Sequence, residues 1–171
     1  MSKRILLYSC LLLMSFSSHA QDTEFPKEWE IQLRLQKGMV TRFNSSPDLF
    51  TGSVAFVPQY TFVENRLRGG IVTAFNYSGK KWSGLFGPTL SLKIKNIESK
   101  LFGIGNIHLT ADHLWGTNQQ QMVGGGPYIE LLHKLLIGFT AHRDYIRNNW
   151  LFQGNIAIRL NKSKPEADPG F

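Results

Sequence analysis

Cysteine is almost missing from this chain: of 171 residues only Cys10 is one, and it falls in the leader. The rest of the chain therefore has no disulfide, no thiolate nucleophile and no cysteine metal ligand, and its fold must rest on packing and backbone hydrogen bonds. No apolar run is long enough to cross a bilayer as a helix. Little of the chain repeats at the spacing of an amphipathic helix. A glycine-rich phosphate loop, a zinc spacing, a calcium loop and a nucleic-acid motif are absent too. These absences argue against nucleotide or metal chemistry, so no cofactor and no nucleic-acid partner is expected. The triplets Asn76-Tyr77-Ser78 and Asn161-Lys162-Ser163 match the glycosylation pattern, which is common by chance.

Residues 1–20 read as a secretory signal peptide. Lys3 and Arg4 form a basic start, Ile5 to Met14 a short apolar stretch, and Ser18-His19-Ala20 a small-residue cleavage site. Residues 21–27 follow as an N-terminal segment. The full chain carries a net charge of +7, and losing Lys3 and Arg4 leaves 17 basic and 12 acidic residues. These charges are scattered, which fits anionic lipid or lipopolysaccharide better than a compact nucleic-acid site.

What is present is alternation. Eight runs place apolar and polar residues on opposite sides at period two. They run from Trp29 to Leu35 (extending towards Met39), about Thr51 to Phe62, Arg66 to Tyr77, Trp82 to Lys95, Gly103 to Trp115, Met122 to Leu132, Leu135 to Arg143 and Trp150 to Leu160. Each is roughly 9–14 residues long, against about 5–6 for strands of soluble domains and about 9–11 for tilted membrane strands. Pro58, Pro88 and Pro127 fall inside runs and predict bulges or local edges. Gly124, Gly125 and Gly126 predict tight curvature.

The aromatics gather at the run ends. Tyr77, Trp82, Trp115 and Trp150 mark one end, and Trp29, Tyr60 and Phe62 the other, as two girdles at two lipid interfaces would require. An even strand count puts both termini on the periplasmic side. Val40–Phe50, Ser78–Lys81, Gly116–Gln121 and Asp144–Asn149 then become outer connections. Val63–Asn65, Asn96–Lys100 and His133–Lys134 become periplasmic turns. The predicted fold is all-β: an eight-stranded, up-and-down antiparallel transmembrane β-barrel over residues 28–160, with a flexible tail at 161–171.

The signal, the eight long alternating runs and the short turns over Glu28–Leu160 resemble the small outer-membrane β-barrel superfamily of Gram-negative bacteria. That resemblance implies a cell outer-membrane location, passage through the outer-membrane insertion machinery and lipid and lipopolysaccharide as neighbours. A monomer is favoured. Members typically end their last strand in a terminal aromatic; here Phe171 is terminal but follows Pro169-Gly170. Some members modify lipid A using His and Ser near the membrane interface. His142, Tyr145 and Ser83 are the candidate residues for such catalysis, although no motif fixes their roles. Arg143, in the lipid-facing phase, is a candidate lipopolysaccharide phosphate contact.

The inward phase carries Arg34, Arg66, Arg68, Lys93, Lys95, His108, Asp112, Glu130, His142 and Arg159, with Glu30. A barrel of this size is only just filled by its own side chains, so these predict an ion-paired plug, with a narrow pore as the alternative. His108 and Asp112 are about 13 Å apart along one strand, so His142 meets either only through cross-strand register. The expected role is a non-enzymatic structural or interaction barrel of the envelope. The alternatives are a lipid A-modifying enzyme, and a secreted lipocalin-like barrel whose apolar phase faces inward around a small ligand.

Overall fold

The computed structural model describes residues 25, 27–42, 48–99, 103–131 and 134–161. Eight strands follow in chain order: β1 (Trp29–Thr41), β2 (Leu49–Val63), β3 (Leu67–Ser78), β4 (Lys81–Ser99), β5 (Gly103–Gly116), β6 (Gln120–Leu131), β7 (Leu135–Asp144) and β8 (Asn149–Arg159). Each pairs antiparallel with its chain neighbours, and β1 pairs with β8, closing an up-and-down barrel. Closure leaves no strand edge, as the backbone of a lipid-exposed sheet requires. The expected signal peptide and the expected tail beyond Asn161 lie outside the described residues.

Period-two alternation decides which side is which. Phe75, Leu90 and Ile156 face outward at 64%, 45% and 55% exposure, while Arg34 and Arg68 are 1% exposed inside the barrel. The barrel is thus polar within and apolar without. This overturns the lipocalin-like alternative, whose apolar phase had to be internal. The girdle aromatics all project outward and pack in clusters at the two ends: Trp29 on Tyr60 and Tyr60 on Phe62 at one, Tyr77 on Trp82 and Trp150 on Phe152 at the other.

Pro58, Pro88 and Pro127 produce no bulge; each makes the local edge expected of it. Each interrupts the ladder on one side, leaving the register unchanged: β2–β3 skips Val57 and Pro58, β4–β5 skips Gly87 and Pro88, and β6–β7 skips Gly126 and Pro127. A proline has no donor to give there. A glycine lies at each gap where the backbones close in. A Cβ on Gly70, Gly87 or Gly126 would stand 2.0, 1.8 or 1.9 Å from a carbonyl oxygen of the facing strand. The register shifts occur elsewhere, between Thr61 and Val63 and between Lys93 and Lys95. The second makes Ile94 an extra residue and reverses the phase after it. Lys95 is therefore exposed rather than internal, and Asn96–Ser99 continue β4 rather than forming a turn.

At the end remote from the termini, Gly79 and Lys80 both take positive φ, the two-residue turn that suits the twist of a hairpin. At the termini end the β1–β8 seam is extended by a side chain. Asn161 accepts from the Ile31 amide at 2.9 Å and donates to the Trp29 carbonyl at 2.6 Å.

Candidate functional site

The lumen has three layers. In the layer nearest the termini, Glu30 at the start of β1 pairs with Arg68 of β3 and Arg159 of β8. Glu130 of β6 stands 3.6 Å from Arg68 and 3.5 Å from Arg159. Two carboxylates and two guanidiniums thus alternate around the axis. Gln32 donates to Glu30 and accepts from Arg34 Nε at 2.9 Å. Asn106 donates to Glu130 at 2.9 Å and lies 3.0 Å from His108 Nδ1. The His108 ring stacks on Tyr128, centroids 5.6 Å apart and planes within 4°, and Arg34 sits 4.9 Å from the same tyrosine ring. Tyr128 fits because Gly138 faces it; a Cβ there would come within 2.4 Å of the ring.

Phe25 completes this layer from outside the barrel strands. Its ring, fully buried, lies 3.4 Å from the Arg68 guanidinium carbon and edge-on to His108. Phe25 precedes the alternating region, and a lone Phe between Glu24 and Pro26 gives no periodic signal. Lys93 is half-buried at the rim, where it donates to Asn65 and faces Phe25 at 5.8 Å. Arg66, expected inside, is instead in the turn between β2 and β3 and half-buried. That turn takes up Glu64–Arg66, so β3 enters the barrel only at Leu67.

The middle layer holds Asp112 and His142, with His142 Nε2 3.1 Å from Asp112 Oδ2. They lie on β5 and β7, two strands apart, which is about 9.6 Å of backbone. The contact is possible because their row runs Asp112–Gly124–His142, and Gly124 puts no side chain between them. Among the described residues no group of three or more His, Cys, Asp and Glu is placed to hold a metal ion.

The third layer, towards the far end, is apolar. Leu85, Leu114, Met122 and Leu151 are buried there with Val72 and Ala74. These residues lacked emphasis in the sequence because each leucine sits beside a larger outward aromatic (Phe86, Trp115, Phe152) and reads as part of one apolar run. Above them the barrel opens into a cavity of about 370 Å³. Met122, Leu151 and Val40 form its apolar base, and Asn76, Ser83, Asn118, Gln120 and Asn149 its polar wall, with Asp144, Lys81 and Arg147 as its charged groups.

The residues considered for catalysis do not converge. His142 faces the lumen against Asp112. Ser83 is buried in the cavity wall, 3.5 Å from the Asn76 carbonyl oxygen. Tyr145 is outside the barrel, where its hydroxyl meets His113 Nε2 at 3.0 Å and donates to Gln121 at 2.8 Å. His142 and the Tyr145 hydroxyl are on opposite sides of the barrel wall and cannot share a proton, and Ser83, although in the lumen, lies six residues along β4 from Thr89, the β4 member of the Asp112–Gly124–His142 row. Arg143 also faces outward, donating to Asn148 at 2.7 Å and lying 5.5 Å from the Trp150 ring. His113, Val123, Arg143 and Trp150 form one row across β5 to β8.

No known family and no curated protein matches the chain. A solved structure described as "De novo design of transmembrane beta-barrels" is similar to it, with a TM-score of 0.50 and 12% identity, over 81% of this chain and 100% of that one. At that identity the likeness concerns the fold. The chain has the fold of a transmembrane β-barrel.

Proposed function

We propose that this protein is an outer-membrane β-barrel with a passive structural or interaction role in the envelope. The observation that carries the reading is the inversion of burial: an apolar, aromatic-girdled exterior around an interior closed by ion pairs. The apolar belt binds the hydrocarbon core, closure satisfies the backbone, and the charged layer blocks conduction. Both termini face the periplasm, and the outer-membrane insertion machinery assembles the chain as a monomer. On the outer leaflet side, Arg143 meets lipopolysaccharide phosphate, with Trp150 and the His113–Tyr145 pair beside it at headgroup level. The separation of His142, Tyr145 and Ser83 removes the support for a lipid A-modifying enzyme.

Fractionation of expressing cells, followed by planar-bilayer recording of the purified protein, tests this reading. Recovery in the outer membrane with no resolved ion conductance is the expected result. Recovery as a soluble periplasmic protein, or steady conducting steps, would refute it.

A further inference from the structure

The far-end cavity is a built site with no role in the passive reading. Asp144, at the end of β7, is 3% exposed and sits between Met122 and Asn149 in one row. Its Oδ1 caps the β7–β8 turn, accepting from the Ile146 and Arg147 amides at 3.1 and 3.0 Å. Its Oδ2, equally buried, has no partner among the described residues, and neither has the Gln120 side-chain oxygen in the same wall. A buried carboxylate oxygen without a donor is costly, and a ligand that supplies one recovers that cost.

Three features of the cavity define the ligand. Asp144 and Gln120 ask for a donor group, best a cationic one. Met122, Leu151 and Val40 ask for an apolar body. Lys81 on β4 and Arg147 in the β7–β8 turn, both exposed on the lining, ask for an anionic group. The volume of about 370 Å³ corresponds to roughly a dozen waters, enough for a ligand of about that many heavy atoms. We infer that the far-end mouth binds a small zwitterion of amino-acid type with an apolar side chain. Its ammonium meets Asp144, its carboxylate meets Lys81 or Arg147, and its side chain rests on Met122 and Leu151.

The test is titration calorimetry on the full mature chain refolded in detergent micelles, with L-phenylalanine as probe. Phenethylamine, which lacks the carboxylate, and 3-phenylpropanoate, which lacks the ammonium, are the comparison ligands. Asp144→Asn keeps the turn-capping acceptor and removes the charge. Saturable binding of L-phenylalanine is expected. In D144N it should weaken by about tenfold or more for L-phenylalanine and phenethylamine and not for 3-phenylpropanoate. No saturable heat up to about 10 mM, or equal affinity in D144N, would overturn the inference. Met122→Trp fills the cavity without altering the carboxylate, so it should abolish binding and keeps the test decisive if D144N does not fold. Because the readout is ligand binding by folded protein, its failure is distinct from failure of the membrane reading.

Discussion

The two halves of the lumen are built on the same strands and the same alternation, yet they solve the filling problem in opposite ways. Near the termini, inward positions hold Glu30, Gln32, Arg34, Arg68, Tyr128, Glu130 and Arg159, all under 5% exposed, and Phe25 closes what remains. Towards the far end, Leu85, Leu114, Met122 and Leu151 form an apolar floor, and above it inward positions hold smaller residues, among them Asn76 and Ser83, so that space is left for a cavity. An eight-stranded barrel is just wide enough for side chains to fill, so residue volume at inward positions decides whether a level is solid or open. The strands set the outline, and the inward side chains set what the barrel can hold.

The contrast can be broken from the charged side first. Glu30 is the acceptor shared by Arg68, Arg159 and Gln32. Glu30→Ala leaves two buried guanidiniums with one carboxylate, and should cost about 3–5 kcal/mol in a urea titration of the refolded protein. Next comes the exterior. Ile156, outward on β8 and paired with Leu35 and Ile137, lies in the middle of the apolar belt. Ile156→Arg, like Leu90→Arg, should cost about 2–4 kcal/mol of folding into lipid and lower recovery in the membrane fraction. The apolar layer should respond by less. Leu114→Ala removes buried packing next to an existing cavity and should cost about 2–3 kcal/mol by the same titration. The smallest effect falls on Tyr128→Phe. Its hydroxyl is 3.5 Å from Arg34 Nη1, and losing it should cost about 1 kcal/mol while the His108 stack persists. An E30A variant as stable as L114A would erase the distinction between the halves.

Much of this architecture was legible in the sequence. Alternation is local, so each of the eight strands announces itself and its phase without knowledge of its neighbours. The residues that escaped depend on what lies across the sheet. Lys95 escapes the alternation because nothing local marks Ile94 as an extra residue against β5. Arg66 falls outside the lumen because the turn before β3 comes one residue later than the alternation suggests, at Glu64–Arg66 in place of Val63–Asn65. The Asp112–His142 contact requires the register of two ladders and the absent side chain of Gly124. Phe25 enters from beyond the alternating region, where periodicity carries no information. The cavity is likewise a sum over eight strands: no single run shows that its inward residues at one level are small.

Whether the apolar phase faces lipid can be read from the four tryptophans, Trp29, Trp82, Trp115 and Trp150, because all project outward near the barrel ends. Their fluorescence should be measured in protein reconstituted into vesicles of lipids brominated either near the headgroup or in mid-chain. Strong quenching by shallow bromines and weak quenching by deep ones is the predicted result. A folded protein whose tryptophans are quenched by neither would show that the apolar phase does not face lipid.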